Sequence, residues 1–427
     1  MTSPKAHKTT GLLAFPVELQ QLVLKSATDI PSLLALTQSC HTLQAAFQDT
    51  QSSILHRVLQ NELSPQLIHE AWIVTGSSRP GIKRDKKFTL ELITHYFDER
   101  GQQKHFQWTV QEALAASRFH KIIQFFACDF ATRALSIKKD SHKASGKSNI
   151  YKPPSPTERL RFQRALYRFE LYCNLFDVDQ RATRLLFDSE EKYELFWSRL
   201  AVWEREQFAC AHEYLFRTCI PAYNYFVEYD VYWGEFSREY EYGFSYNNSN
   251  IQGYLRRGLN YVYKIAHAQS YEERLPLIDC GLQNECSFLW QGIVYDANLD
   301  WPEPFDNIPE EELLWLINAS ASCDCDPGPY EAWHWGNPNV DPQIMVQAGN
   351  QIPLRKWAYV MWDHDRLLAW DIFSQPFNPF CRKDEKAASS EIGRKQRELY
   401  RSRSARSKIF LKGGKGYWSE NDETKVK

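Results

Sequence analysis

The sequence predicts a mainly α-helical protein: a compact N-terminal three-helix unit, a large irregular helical body and a disordered basic tail. Three observations carry this expectation. Apolar residues recur at steps of three and four, as in Phe162, Leu166, Phe169, Cys173 and Phe176, the spacing that gathers side chains on one face of a helix. Two capping boxes, Thr109 with Glu112 and Ser155 with Glu158, mark helix starts, because each residue of the pair can satisfy an orphan backbone donor. No 20–50-residue repeat is visible, which disfavours leucine-rich horseshoes and propellers.

The N-terminal unit is expected over residues 11–56, after a disordered 1–10. Pro16 opens its first helix, where a missing N–H costs nothing, and Glu18 follows in the first turn, next to the positive end of the dipole. Leu19, Leu22 and Val23 continue at helical spacing. Residues 26–29 break the helix, and Pro31 is expected to start the next, loaded with Leu33, Leu34 and Leu36. Residues 39–42 form a second break before Leu43, Ala46 and Phe47. A unit this small cannot bury so many leucines alone. Either the rest of the chain covers them or a partner does.

These residues carry a resemblance. Phe15-Pro16-Val17-Glu18-Leu19 is similar to the Leu-Pro-x-Glu-Leu opening of the F-box, with Phe15 where Leu is usual. Pro31-Ser32-Leu33-Leu34-Ala35-Leu36, followed by Cys40 and Leu43, resembles its second half, and Ile54-Leu55 stands near the Trp that often closes the motif. The blocks SPTERLRFQRALYRFELYCNLF, VWEREQFACAHEYL and LRKWAYVMWDHDRLLAWDIF resemble those of F-box-like proteins of filamentous ascomycete fungi, so the likeness runs from about residue 12 to 380. The resemblance implies a non-catalytic adaptor of a cullin–RING (SCF-type) ubiquitin ligase. Its helical triplet would dock on a Skp-type linker, and its body would hold a protein substrate. It places Phe15, Pro16, Leu19, Leu33 and Leu34 against the linker, and leaves Leu22, Leu36 and Leu43 to hold the triplet together.

Beyond the triplet, residues 57–137 are expected to be helical, with Pro65 as a joint near the start and a Gly/Pro-containing basic loop over 75–87. Leu90, Ile93 and Phe97 suggest a short helix, and the box at Thr109 opens a longer one with Phe119, Ile122, Ile123, Phe126 and Phe130 on one face. The clearest linker is 138–156, KKDSHKASGKSNIYKPPSP, which lacks periodicity. The helical body follows over 157–380. In its first helix Arg159, Arg161, Arg164 and Arg168 are expected on the outer sides. Asp188 and Glu191 open another, with Tyr193, Phe196, Leu200 and Trp203 buried, running on to a stop at Pro221. Leu255, Leu259, Val262 and Ala266 are expected on a single helix, and Leu313, Leu316 and Ile317 on one after Pro309. Residues 320–342 are expected to be irregular, pinned by Trp333 and Trp335. A late helix from Pro353 would carry Leu354, Trp357, Met361, His364 and Leu368 on one face. Residues 382–415 hold twelve Lys or Arg against four Asp or Glu, and the tail 381–427 is therefore expected to stay disordered and solvated.

The 427 residues suffice for one large or two ordinary domains, and 43% hydrophobic content supports a sizeable core. Fourteen Trp can close an irregular helical interior. A net charge of −2 argues against a chain built to coat nucleic acid or membrane. No signal peptide or apolar run of spanning length is visible, so a cytoplasmic or nuclear protein with reduced cysteines is expected.

Catalytic motifs are missing: no nucleophile elbow, dinucleotide fingerprint or His-Glu-x-x-His is present. Cys210 and His212 lie two apart on a predicted helix and face different ways. His364, between Asp363 and Asp365, is expected to be a hydrogen-bonded core histidine. Cys323, Cys325 and His334 are candidate zinc ligands, with Cys280 and Cys286 further off, but Cys-x-Cys is tighter than the usual pair spacing; no metal or other cofactor is expected. Neither an enzyme nor a nucleic-acid partner is expected. Two alternatives to the adaptor remain: a helical scaffold whose triplet is absorbed into its own core, and a zinc- or nucleic-acid-binding protein resting on Cys323, Cys325 and the tail.

Overall fold

The computed structural model of the protein describes residues 11–78, 85–102, 104–143, 152–176, 186–235, 238–243, 248–278, 303–304, 307–337, 339–340, 352–374, 376–377 and 385–419. The fold is mainly α, as expected; among the described residues the strands are one two-residue antiparallel pairing, Glu303–Pro304 with Asn339–Val340, beside an isolated bridge between Asp230 and Tyr417. The chain divides into two compact units, 1–126 and 127–427.

The first unit begins with α1 (Val17–Lys25), α2 (Ile30–Ser39) and α3 (His41–Asp49), followed by α4 (Gln51–Leu63), α5 (Ile68–Ser77), α6 (Lys86–Asp98) and the start of α7 (Val110–Lys143). Pro65 is the expected joint: a turn of 3-10 helix, Pro65–Leu67, separates α4 from α5. Helix α7 opens on its capping box, Thr109 N–H to Glu112 at 3.0 Å and Glu112 N–H to Thr109 Oγ1 at 3.2 Å. Its helical backbone extends to Lys143, so the linker expected from 138 begins later than periodicity alone indicates. The Gly146-Lys147-Ser148 stretch lies outside the described residues, as do 79–84 of the basic loop.

The second unit is built around α8 (Pro156–Phe176) and α10 (Val202–Tyr229). The box at Ser155 and Glu158 starts α8, with paired bonds of 2.7 and 3.1 Å. The aromatic stripes expected as core are core: Phe162, Phe169 and Phe176 of α8 are buried, as are Phe196, Leu200 and Trp203. The helix expected from Asp188 is shorter than its pattern. It is one turn, α9 (Ser189–Lys192), capped by Asp188 and Glu191, then a π turn over Tyr193–Trp197 and a break at which Asn318 Nδ2 donates to the Ser198 carbonyl at 2.8 Å. Conversely, Pro221 does not stop α10. It sits on an exposed side, where water can take the carbonyl that loses its donor, while Cys219, Ala222, Tyr223 and Phe226 pack inward around it.

Helices α11 (Val231–Glu235), α12 (Ser249–Arg256), α13 (Leu259–His267) and α14 (Tyr271–Ile278) complete the middle of the unit. The single helix expected through Leu255 and Leu259 is therefore two. Gly258, at φ 82°, divides them, and a Cβ there would meet the Glu170 carboxylate at 2.7 Å. That carboxylate instead accepts the Leu259 N–H at 2.6 Å. Later come α15 (Glu310–Leu316), α16 (Gly328–Gly336), α17 (Ile352–Lys356) and α18 (His364–Ala369). Helix α16 lies inside the stretch expected to be irregular. The late helix from Pro353 is instead three short pieces, because Ala358 takes a left-handed φ of 54° after the first and Trp362 and Asp363 are extended after the second. Leu368 is exposed, and His364 is only partly buried, its Nδ1 2.5 Å from Glu331.

Two corrections concern charge. Arg161 and Arg168 do not lie on the outside of α8; both are fully buried. Arg161 reaches Asp324 at 2.5 Å and Asp363 at 2.7 Å, and Arg168 reaches Glu204 at 3.0 Å. Arg355 and Glu206 form another buried pair at 2.6 Å, and Arg366 meets Glu158 at 2.6 Å. Secondly, the tail expected to be disordered contains α19 (Glu385–Leu411), packed against α11. Ile409 and Trp418 are buried with Val231. Gly234 makes the approach possible, since a Cβ on it would lie 2.5 Å from the Arg406 Cβ.

Candidate functional site

The N-terminal triplet has two apolar sets of side chains, one turned inward and one left outside. Pro16 stands at the N-cap of α1 with φ −53°, and Gln20 Nε2 donates to the Phe15 carbonyl at 2.9 Å, which fixes the entry of the chain. Gln20 and Leu24, four apart, turn inward. Leu19 and Leu22, three apart, turn outward, in line with Phe15 one turn earlier. These outward residues are 43%, 60% and 50% exposed, and Val17 is exposed beside them.

Helix α2 starts one residue before Pro31. Asp29 caps it, its Oδ1 accepting the Ser32 N–H at 2.8 Å. That hydrogen bond is the main reason the Asp29 carboxyl is held below its usual range. The register places Ile30, Leu33 and Thr37 in one inward row, with Leu34 and Leu36 half-buried. Helix α3 is capped by Cys40 Sγ, which accepts the Leu43 N–H at 3.4 Å, and buries Leu43, Ala46 and Phe47. Helix α4 anchors the arrangement. Asn61 Nδ2 donates to the Lys25 and Ala27 carbonyls, both at 2.9 Å, and Glu62 accepts the Ile30 N–H at 3.2 Å.

The structure therefore redistributes the residues read as partner-facing. Phe15, Pro16 and Leu19 are on the surface, and Leu34 is half-buried. Leu33 has no exposed surface, so it belongs to the core of the unit; Leu22, expected to hold the triplet together, is the most exposed of the row. The reason is spacing and packing: Ile30, Leu33 and Thr37, three and four apart, share the face of α2 that is covered within the unit. The 4-then-3 spacing of Phe15, Leu19 and Leu22 is the signal that brings Leu22 into the outward set. The two leucine types differ in what truncation does. Leu33→Ala is expected to cost about 2–5 kcal/mol of stability, read as a lowered urea midpoint. Leu22→Ala stays within about 0.5 kcal/mol.

No metal centre assembles among the described residues. Cys323, Cys325 and His334 are all exposed; Asp324, between the two cysteines, turns to Arg161. Burial pushes that carboxyl up, and the hydrogen bond and charge of Arg161 more than offset it, so it sits below its usual range. Cys280 and Cys286 lie outside the described residues. Cys210 and His212 are both buried in α10. Burial raises the thiol well above its usual range and lowers the imidazole to about 3, and His212 Nε2 lies 3.2 Å from the Gln252 side-chain oxygen. Neither reaches solvent, and both belong to the packing of α10.

No family model, curated protein or solved structure matches this chain. The outward row of α1 is thus argued from its own chemistry. An exposed set of Phe, Val and two Leu within eight residues is a cluster of apolar surface of the type that marks interaction sites. Among the described residues, no helix is long and apolar enough to cross a membrane.

Proposed function

We propose that the protein is a non-catalytic adaptor whose N-terminal triplet docks on a Skp-type linker of a cullin–RING ubiquitin ligase, with the second unit as the substrate-holding arm. The observation that carries the reading is the outward row Phe15, Leu19 and Leu22, with Val17 beside it, on the same residues that resemble the opening of the F-box. Leu19 and Leu22 sit on a helix whose C-terminal end is held by Asn61 of α4, with Phe15 fixed just before it by Gln20, so the geometry is set before a partner arrives, which reduces the ordering cost of association. Large apolar side chains desolvated at the centre of an interface supply most of its binding energy. In this reading Leu33 supports the face from within, and Leu34 contributes its exposed edge.

The test is co-purification of the recombinant chain with a Skp-type linker. The unmutated protein is expected to retain the linker. Leu19→Asp combined with Leu22→Asp is expected to weaken retention at least about 30-fold, a loss of ~2 kcal/mol or more at the anchors. Because both positions are exposed, the urea midpoint of the double variant should stay near that of the parent. Failure of the unmutated chain to retain the linker at micromolar concentration would remove the adaptor reading; the scaffold alternative, with the triplet absorbed into its own core, is disfavoured by the exposure of Phe15, Leu19 and Leu22.

A further inference from the structure

We propose that the outer face of α19 binds single-stranded nucleic acid through its phosphates. The expectation of a solvated, disordered tail rested on composition, but the helix is docked, and docking sorts its charges into two sets. One face is fixed to the fold. Arg406 Nη1 donates to the Asp230 carbonyl at 2.7 Å, Lys395 pairs with Glu228 at 2.8 Å, Ser407 Oγ donates to Glu235 at 2.5 Å, and Ile409 is buried. The opposite face carries Arg397, Arg401 and Lys408, all exposed, followed by exposed Lys412 just beyond the last turn. At about 100° per residue the three helical cations fall within roughly 40° of one another, and they span roughly 17 Å along the axis. None of these four has an acidic partner among the described residues.

A sequence with net charge −2 has no general excess of cations, so this row is a local feature. It is straight and held rigid by the packing behind it. A sugar–phosphate backbone presents one negative charge per nucleotide at regular intervals, which a straight row of cations can follow, releasing counterions as it binds. Tyr400 adds a second, independent observation. It is 76% exposed, about 60° around the helix from Arg397, and offers a bare ring on which a base can stack. An anionic membrane fits less well. Of its apolar side chains Ala405, Ile409 and Phe410 are engaged with Val231 and Trp418, which leaves exposed Leu411 as a single large aliphatic, too little for an amphipathic face that could enter a bilayer. An acidic protein would need no exposed aromatic ring.

The test uses the full chain and a fluorescein-labelled 20-nucleotide mixed-sequence single-stranded DNA, read by anisotropy from 50 to 200 mM salt. Four phosphate contacts predict a slope of log K against log salt of about −3. Replacing the row as R397E/R401E/K408E is expected to weaken binding by about 100-fold or more and flatten the slope to about −1. A control with the same charge change at exposed sites elsewhere, K87E/K121E/K264E, should stay within about threefold. Y400A should weaken binding about tenfold with the slope unchanged. The neutral variant R397Q/R401Q/K408Q, whose helicity is checked by circular dichroism, should reproduce the flattened slope and so separates loss of contacts from loss of the helix. No binding of the oligonucleotide at 50 mM salt overturns the proposal. So does equal weakening by the row and control variants, or equally tight binding of poly-glutamate or of phosphatidylserine vesicles.

Discussion

Replacing Arg355 with methionine is expected to destabilise the second unit by about 3–5 kcal/mol, one of the largest effects available to a single substitution in this protein. Glu206 is fully buried in α10 and accepts from Arg355 Nε at 2.6 Å and Nη2 at 3.1 Å. Burial pushes the Glu206 carboxyl above its usual range, and the guanidinium of Arg355 offsets only part of that rise. Without the guanidinium a carboxylate is left uncompensated beside buried Cys210 and Tyr359, whose own ionisation Glu206 opposes. The urea midpoint should fall with little change in m. The double variant Glu206→Leu with Arg355→Met should recover most of the loss, because removing both charges also removes both desolvation penalties. The deficit of the single variant should shrink as pH falls, since a neutral carboxyl no longer needs the cation. A single variant as stable as the parent at pH 7 would show that the pair does not hold α17 to α10.

Acid is expected to loosen the first unit well before carboxylates in general protonate. His56 and His120 are buried, and burial lowers each from its ordinary value of 6.5 to about 4; His105, its ring centroid 4.2 Å from that of His56, adds to the effect there. Burial also lowers His69. The sign follows from which state takes the proton first. In the unfolded chain the His56 and His120 imidazoles protonate near 6.5, and in the folded unit those two resist until about 4. Stability is therefore present above about pH 7 and is lost as pH falls through 6.5 towards 4, at about 1.4 kcal/mol per pH unit for each histidine. Two such residues take about 3 kcal/mol between pH 6.5 and 5, against a total of ~5–15 kcal/mol for a typical domain. Hydrogen exchange on α4 peptides, corrected for the intrinsic pH dependence, should show protection falling over this range. His56→Phe should roughly halve the fall. Flat protection between pH 7 and 5 would contradict it.

What could be read from the sequence was local. The capping boxes at Thr109 and Ser155, the joint at Pro65 and the buried stripe of α8 depend on residues within a few positions of one another. The outward placement of Phe15 and Leu19 was legible for the same reason. Leu33 and Leu22 exchanged places because spacing shows which residues share a helix face but not which face is covered: Leu33 joins the inward row Ile30–Leu33–Thr37 of α2, and Leu22 lies on the side of α1 away from Gln20 and Leu24. The buried charges were not legible. Arg161 and Arg168 carry the same residue type as a solvated helix face, and their partners are 163 and 36 residues away in sequence. Helix α19 was missed because composition averages over a helix. One narrow row of it, Arg406 and Ile409 above all, docks, while the cations around that row dominate the count.

The docking of α19 also has a consequence in time. Arg406 completes its bond to the Asp230 carbonyl across 176 residues of chain, and Gly234 is in place to receive it from the moment α11 forms. At a synthesis rate of ~5–20 residues per second, α11 waits on the order of 10–35 s on the ribosome before its cover is made. During that interval Val231 lies uncovered at the start of α11. Bulky side chains at Gly234 would prolong the same exposure indefinitely, so this glycine governs how soon the nascent second unit stops presenting apolar surface to its neighbours.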